Sequence, residues 1–272
     1  MPTANAFVFD LDGVLVDPTT KTVVLNETLD ILCNLLHAGN TVGFNTGRSY
    51  DFVEKHLVEP LLKAIDNQSD LLNLFISCEK GAVVVTFDNI FHPVVMKNDR
   101  ISVPIKIQNA VRNLVKSKFF DSMFFDETKL TMVSVEMNDG HSLEDFWREQ
   151  KDLDKALEMM LADNDLSEKF KVDSSRIATD LESKAVGKDL GTENFIEWCD
   201  KNKKPVDKII FFGDSKSDLD MVRSAVRHGK QFEFVFVGEQ KYLKDTLIAF
   251  PVIFTKNTYE AGVNEYFQSY KF

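Results

Sequence analysis

The amino-acid sequence predicts an α/β protein, with a doubly wound parallel sheet as its core and an inserted α+β domain. This prediction depends on the order of the segments and on the composition. Strand patterns alternate with helix patterns over residues 6–77 and again over residues 188–254, whereas the region between them differs. Hydrophobic residues form 44% and charged residues 28% of the 272 residues, which is typical of globular proteins with a sizeable core.

The first part of the chain predicts alternating strands and helices. The helices are indicated by apolar residues at helical spacing, such as Leu25, Leu29 and Leu32, and the strands by short apolar runs. Because a helix connects each strand to the next, neighbouring strands are expected to run parallel. The predicted elements are a strand at 6–10, a helix at 22–38, a strand at 41–45, a helix at 49–65 and a strand at 74–77.

The last third of the chain resumes the same alternation, so we expect it to complete the same sheet. Its strands are again apolar runs bounded by polar or glycine residues. The predicted elements are a helix at 188–201, a strand at 208–213, a helix at 217–227, strands at 232–238 and 251–254, and a closing helix.

The middle of the chain departs from this alternation. Strand patterns at 102–107 and 130–137 are mixed with helix patterns at 108–117 and 142–162. Such a mixture does not continue a doubly wound sheet, and it predicts a separate α+β domain inserted into the first one. The predicted division is a core domain of residues 1–87 and 183–272 with an inserted domain of residues 88–182.

Charge and cysteine content argue against several classes of protein. The formal net charge of −11 disfavours nucleic-acid binding, because such proteins carry basic surfaces that neutralise phosphates. Cys33, Cys78 and Cys199 are far apart and form no CxxC pair, which is typical of free thiols in a reducing compartment. The chain shows no secretory leader and no apolar run of the ~18 residues that a membrane helix needs. We therefore expect a cytoplasmic protein that binds neither nucleic acid nor membranes.

Clusters of polar and glycine residues follow the predicted strands. Residues 10–13 (DLDG) follow the first strand, residues 45–49 (NTGRS) end the second, and residues 213–218 (GDSKSD) follow the strand at 208–213. Residues 187–191 (GKDLG) open a predicted helix. Ligands of open parallel sheets bind beyond the carboxyl ends of the strands, so we expect these clusters to form one site.

Four carboxylates occur in these clusters: Asp10, Asp12, Asp214 and Asp218. They need a counter-charge, because burying unpaired charge is costly. Hard oxygen ligands with few histidines suit Mg²⁺, which binds one or two carboxylates together with waters and a substrate phosphate. The sequence therefore predicts Mg²⁺ as a cofactor and a small phosphorylated metabolite as the partner.

The same clusters contain donors for phosphoryl oxygens. Thr46 supplies a hydroxyl and Lys188 an ammonium group, and Arg48 is a possible further cation. Lys184 competes with Lys188 for this role, and the Lys-x-x-Gly spacing at the head of the helix favours Lys188. Gly47 allows the backbone to turn sharply and to approach a ligand closely.

In this order, the clusters resemble the four motifs of the haloacid dehalogenase superfamily. The matching segments are FVFDLDGVL, TGRS, Lys188 with Gly191, and GDSKSD. The segment ISCEKGAVV at 76–84 is similar to the one ending in Asn-Gly-Ala that precedes the cap in Cof-like members. The segment TKNTYEAGVNEYF at 255–267 also resembles their carboxyl-terminal segment.

The resemblance implies a Rossmann-like core and a cap. The insertion at 88–182 lies between the second and third motifs, where members with the larger α/β cap carry it. Two positions depart from the common pattern: Ser217 stands where asparagine is common, and Val14 where threonine is common. Neither removes a charge or a nucleophile, so the departures bear on the substrate subgroup more than on activity.

Roles for the carboxylates are implied by the resemblance. Asp10 is the nucleophile that forms an aspartyl-phosphate, and Asp12 is the general acid and then the general base. The Asp10 carboxylate, the Asp12 carbonyl oxygen and Asp214 hold Mg²⁺. Asp218 supports the metal, either through a water or by orienting Lys188.

The resemblance also implies roles for the donors. Thr46 and Lys188 stabilise the transferring phosphoryl group. Gly47 and Arg48 contribute to substrate binding.

The function implied is that of a Mg²⁺-dependent phosphatase, hydrolysing a small phosphomonoester such as a sugar phosphate. A phosphomutase of the phosphomannomutase kind is an alternative, because it uses the same four motifs and returns the phosphoryl group to its sugar. A non-catalytic protein that binds a phosphorylated metabolite is a third possibility. Dehalogenation is disfavoured, because it attacks carbon and requires neither Asp12 nor an acidic metal cluster.

Overall fold

The structure of the chain is a computed structural model, and it describes residues 5–16 and 26–270. The chain divides into two compact units, one formed by Met1–Met96 with Gly187–Phe272 and the other by Lys97–Val186. The division falls later than the predicted boundaries at 87/88 and 182/183. The first shift arises because a further strand after residue 87, Pro93–Lys97, continues the sheet of the first unit.

The sheet of the first unit has eight strands, in the order β12-β11-β10-β1-β2-β3-β4-β5. The pairs from β12 to β3 are parallel, and β4 returns antiparallel to β3. The predicted doubly wound parallel core is thereby confirmed, with an antiparallel extension at one edge. The strands are β1 Asn5–Phe9, β2 Thr41–Asn45, β3 Leu74–Cys78, β4 Val83–Phe87, β5 Pro93–Lys97, β6 Met123–Phe125, β7 Val133–Met137, β8 Phe170–Ser174, β9 Ala178–Ser183, β10 Lys208–Gly213, β11 Gln231–Phe236 and β12 Ile253–Phe254.

The helices lie close to the positions that the apolar spacing predicts. The predicted helix at 22–38 is observed from Asn26, and its residues 22–25, including Leu25, lie outside the described part of the chain. The predicted helix at 49–65 contains a π-helical turn over Glu54–Val58. The helices are α1 Asn26–His37, α2 Tyr50–Val53, α3 Glu59–Ala64, α4 Ile105–Leu114, α5 Leu143–Asp163, α6 Lys188–Lys201, α7 Leu219–Arg227 and α8 Tyr259–Ser269.

Apolar clusters cover both faces of the large sheet. On one face Phe9 stacks on Phe212, with ring centroids 4.6 Å apart, in a cluster that includes Leu32 of α1. On the other face Val8 packs in a cluster with Phe195 of α6. Successive residues of a strand point to opposite faces, so a strand buried on both faces is a continuous apolar run. This burial explains the run FVF in β1.

The second unit is an antiparallel sheet covered by helices. Its strand order is β6-β7-β9-β8. Val133 of β7 and Leu181 of β9 share an apolar cluster with Val111 of α4 and with Phe146 and Leu153 of α5. Alternate residues of these strands face the helices, which produces the mixed strand and helix patterns seen in this region.

The strand predicted at 102–107 is wrong, because α4 begins at Ile105 inside it. Pro104 immediately precedes the helix, a position where proline is tolerated because its missing N–H would have no helical partner. Ile107 and Val111 are buried and four residues apart, so they lie on one helical face. A short apolar run does not distinguish a strand from the start of a helix by its periodicity.

Among the described residues, no helix combines the length and the apolar character needed to cross a membrane.

Candidate active site

The candidate site lies where three adjacent strands of the large sheet end. In the order β10-β1-β2, Phe9 is paired with Phe212 on one side and with Phe44 on the other. The strands are parallel, so the residues that follow them emerge at the same edge. Asp10 therefore leaves the sheet beside Asp214 and the loop that begins at Thr46, as the sequence predicts.

Lys188 is held among acidic groups at this edge. Its ammonium forms an ion pair with Asp10, lies 3.1 Å from Oδ1 of Asp218 and donates a 2.7 Å hydrogen bond to the Asn45 carbonyl oxygen. Its side chain is only 10% exposed. Burial alone lowers the pKa of Lys188, but the charges of Asp10 and Asp218 outweigh it and raise the pKa above its ordinary value. Lys188 is therefore a buried, protonated cation.

Lys188 alone does not balance the acids around it. Burial is the largest cause that raises the pKa of Asp10 well above its ordinary value; Lys188 opposes this and Asp218 adds to it. Burial, and then the charge of Asp218, raise the pKa of Asp214 to about 7. Three carboxylates thus share one ammonium in a poorly solvated place, and a further positive charge would stabilise their ionised forms.

Asp218 is fixed by the loop in which it lies. Its Oδ2 accepts hydrogen bonds from the backbone N–H groups of Asp214 and Ser215, both at 3.0 Å, and from the Ser215 hydroxyl at 2.9 Å. The residue is fully buried. Its other oxygen, Oδ1, is buried without a hydrogen-bond partner of good geometry in the described part of the chain, and the charge of Lys188 lies beside it.

These carboxylates fit a divalent metal ion. Carboxylate oxygens of Asp10, Asp214 and Asp218 lie within 4.8 Å of one another. The buried Oδ1 of Asp218 and the raised pKa values of Asp10 and Asp214 are the features expected of a cation site. An all-oxygen donor set of this kind suits Mg²⁺.

The carboxylate of Asp12 is not one of the three that lie within 4.8 Å of one another, although Asp12 is only two residues from Asp10. β1 ends at Phe9, one residue earlier than predicted, and the chain turns so that Gly13 N–H bonds to the Val16 carbonyl at 2.8 Å. The carboxylate of Asp12 accepts three hydrogen bonds from the Arg48 guanidinium, from Nε to Oδ2 at 2.9 Å and to Oδ1 at 3.2 Å, and from Nη2 to Oδ1 at 2.7 Å. The two acids therefore have different partners.

Arg48 is positioned by the loop and helix that follow β2. The guanidinium carbon lies 4.5 Å from the centre of the Phe52 ring, a cation–π contact. Ser49 caps α2 by accepting a hydrogen bond from Phe52 N–H at 3.3 Å. The loop thus directs Arg48 to Asp12, a pairing that the sequence did not predict.

Thr46 is fully buried at the start of the same loop. Its N–H donates to the Ser77 carbonyl at 2.9 Å, and its hydroxyl accepts from Arg48 N–H at 3.1 Å. Gly47 lies between them, and a Cβ added there would be in ordinary van der Waals contact with the Lys80 side chain, 3.7 Å from its Cγ. The competing candidate, Lys184, lies in the second unit and is exposed.

Asn45 is a functional candidate to which sequence reasoning assigned no role. Its side-chain amide donates to the Lys188 carbonyl at 2.7 Å and to the Thr192 hydroxyl at 3.3 Å. A Cβ on Gly191 would lie 2.3 Å from Oδ1 of Asn45, so only glycine allows α6 to approach β2 this closely. The signal for this contact was a polar residue at the end of an apolar strand, together with the Lys-x-x-Gly spacing.

Replacing Gly13 by alanine is expected to disturb Asp214. Gly13 has φ +76°, and an added Cβ would lie 2.2 Å from Oδ2 of Asp214. The left-handed backbone alone costs an alanine about 1–2 kcal/mol. The clash adds to this, and because Asp214 belongs to the carboxylate cluster that fits a divalent metal ion, its displacement is expected to weaken the affinity for Mg²⁺ by ~10-fold or more.

The matched control is Gly39→Ala, because Gly39 has φ +81° and nothing within 4 Å of an added Cβ. The free energy of unfolding in urea and Mg²⁺ binding by calorimetry would be measured for both variants. Equal losses of stability and unchanged Mg²⁺ affinity in both would show that Gly13 does not constrain Asp214.

Comparison with known families matches most of the chain. The family model described as haloacid dehalogenase-like hydrolase matches residues 7–228. No curated protein sequence matches the chain significantly.

Solved structures of phosphatases share the fold at low sequence identity. The C-terminal domain of trehalose-6-phosphate phosphatase from C. albicans is 16% identical, with a TM-score of 0.65 over 97% of this chain and 91% of that one. Trehalose-6-phosphate phosphatase from Aspergillus fumigatus is 16% identical, with a TM-score of 0.56 over 96% and 90%. Sucrose-phosphatase from Synechocystis, solved with sucrose and phosphate, is 13% identical, with a TM-score of 0.57 over 98% of both chains.

Proposed function

The chain belongs to the haloacid dehalogenase-like hydrolase family, and on this premise we propose that it is a Mg²⁺-dependent phosphatase that hydrolyses a small phosphomonoester, in particular a sugar phosphate. The observation that carries the proposal is the ion pair of Asp10 with Lys188, within a cluster of carboxylates at the carboxyl end of β1. The chain also shares its fold with proteins named trehalose-6-phosphate phosphatase and sucrose-phosphatase.

Asp10 is the proposed nucleophile. Leu11 N–H donates to its Oδ1 at 2.7 Å, and Lys188 binds the same oxygen. These contacts orient the carboxylate and leave the attack on phosphorus to Oδ2. Attack expels the alcohol and forms an aspartyl-phosphate, which water then hydrolyses to regenerate Asp10.

Asp12 is the proposed proton carrier. Its side chain is 39% exposed, unlike that of Asp10, so it can reach both a leaving group and water. In the first step it donates a proton to the leaving oxygen, and in the second it accepts one from the attacking water. The hydrogen bonds from Arg48 hold its carboxylate in place between these steps.

Lys188 and Thr46 are the proposed binding groups for the transferring phosphoryl oxygens. Asp218 and Asn45 position Lys188 through the contacts described above. Mg²⁺ would be held by Asp10, Asp214 and the Asp12 carbonyl oxygen, with Asp218 beside them. It would supply positive charge that offsets the negative charge of the phosphoryl group.

The proposal predicts Mg²⁺-dependent release of phosphate from p-nitrophenyl phosphate and from at least one member of a sugar-phosphate panel. Chelation of the metal is expected to abolish the release, because the carboxylate cluster then lacks the cation that offsets its charge. The measurement is phosphate release by the full chain with Mg²⁺ and with a chelator. Isomer conversion without phosphate release would identify a phosphomutase. Phosphate binding without either reaction would identify a non-catalytic protein.

A further inference from the structure

A short turn after β3 holds three consecutive residues in left-handed backbone conformations. The φ angles are 49° for Glu79, 56° for Lys80 and 95° for Gly81. Glycine adopts this region without strain, but other residues lose about 1–2 kcal/mol each, and asparagine or aspartate are the usual exceptions. A lysine at the second position is therefore unusual, and such outliers often occur at functional sites.

The turn is fixed by backbone contacts on both sides. Glu79 N–H donates to the Arg48 carbonyl and Lys80 N–H to the Thr46 carbonyl, both at 3.0 Å. Gly187 N–H, immediately before α6, donates to the Lys80 carbonyl at 2.8 Å. The backbone of Lys80 thus joins the loop that carries Thr46 to the segment that carries Lys188.

The side chain of Lys80 runs across Gly47. A Cβ on Gly47 would lie 3.7 Å from Cγ and 3.8 Å from Cε of Lys80, so the methylene groups pack against the glycine. A C–N single bond of about 1.45 Å separates Cε from Nζ, which places the ammonium within roughly 5 Å of that position. Its charge therefore lies beside the loop proposed to bind the phosphoryl group.

The charge of the site favours a further cation at this place. Arg48 is bound to the carboxylate of Asp12, and Lys188 contacts Asp10 and Asp218. Among the described residues of the site, four carboxylates (Asp10, Asp12, Asp214 and Asp218) thus outnumber these two cations. A phosphomonoester is itself an anion, and its entry among carboxylates is opposed unless more positive charge faces it.

We propose that Lys80 is a substrate-binding residue, whose ammonium binds the phosphoryl group beside Gly47. The left-handed turn directs the side chain across the loop, and its strain is the cost of that placement. This assignment rests on the proposed phosphatase function, and it adds a binding group that none of the four sequence motifs contains.

The test compares Lys80→Asn with Lys80→Arg. Asparagine tolerates the left-handed region and removes the charge, so the variant is expected to fold with an unfolding temperature at or above that of the original protein. Loss of one charge-assisted contact is expected to raise KM for p-nitrophenyl phosphate by about 10- to 100-fold. Lys80→Arg keeps the charge, so its KM for p-nitrophenyl phosphate is expected to lie within about 3-fold of the original value. This change is much smaller than the one expected for Lys80→Asn.

The matched control is Lys203→Asn, because Lys203 is also a lysine in a left-handed conformation, with φ 53°. It is exposed and lies beyond the far end of α6, whose 14 residues span about 21 Å. This variant is expected to gain the same backbone relief and to leave KM unchanged. An equal KM for Lys80→Asn and Lys203→Asn would overturn the assignment.

A second measurement keeps this inference separate from the proposed function. Inorganic phosphate would be titrated into each full-length variant by calorimetry in the presence of Mg²⁺. If Lys80→Asn is the only variant that binds phosphate more weakly, the assignment of Lys80 is supported. This holds even if the protein hydrolyses no substrate, because the absence of hydrolysis would reject only the phosphatase proposal. Unchanged phosphate binding in an active enzyme would reject only the role of Lys80.

Discussion

Replacing Asp10 by asparagine is expected to reduce Mg²⁺-dependent phosphate release by on the order of 10³-fold or more, because the amide lacks the nucleophilic oxygen that forms the covalent intermediate. The substitution is nearly isosteric, so the fold should be kept. Asp218 remains beside Lys188 in this variant, so the buried ammonium keeps a carboxylate partner. The variant is therefore expected to unfold at a temperature no lower than that of the original protein.

The matched control for this prediction is Asp220→Asn. Asp220 is 42% exposed and pairs with Arg223 on the surface of α7, so its loss should change neither activity nor stability appreciably. Phosphate release and thermal unfolding of both variants are the measurements. Substantial activity in Asp10→Asn would assign the nucleophile to another residue.

Replacing Lys188 by methionine is expected to lower the free energy of unfolding by about 3–5 kcal/mol and to abolish activity, because removing one partner of a buried ion pair leaves uncompensated charge. Asp10 and Asp218 would both lose the cation that contacts them. Methionine has a similar length and packs well, so the loss would reflect charge more than volume. Urea denaturation without metal measures the effect on stability.

Two further variants separate charge from packing in this experiment. Lys208→Met removes a cation paired with Glu233, but both side chains are about one-third exposed, and the expected loss is below ~1 kcal/mol. Adding Asp218→Asn to Lys188→Met removes one of the uncompensated carboxylates and should recover part of the stability. Equal losses in Lys188→Met and Lys208→Met would contradict the buried ion pair.

The alternating core was predictable because its strands are buried on both faces and appear as continuous apolar runs. The predictions for β2, α6 and β10 match the observed bounds. The error at 102–107 has a local cause, since the short apolar run around Pro104 is compatible both with a strand and with the first turn of α4.

The sequence predicted which residues form the site better than it predicted which of them contact one another. Asp10 and Asp214 follow strands and Lys188 opens a helix, and these positions mark the edge where ligands bind in such sheets. The hydrogen bond from Lys188 to the Asn45 carbonyl joins residues 143 positions apart. Such a contact depends on how α6 packs against β2, and nothing in the local pattern specifies it.

By itself, the sequence determined the class of fold, the order of the strands and helices that carry the site, and the residue types available at each strand end. Those features depend on local periodicity and on the chemistry of single side chains. Only the tertiary structure decided that Asp12 binds Arg48 whereas Asp10 binds Lys188, and that Lys80 crosses Gly47 from a left-handed turn. These choices depend on distances between segments far apart in the chain, which are set by packing of the whole core.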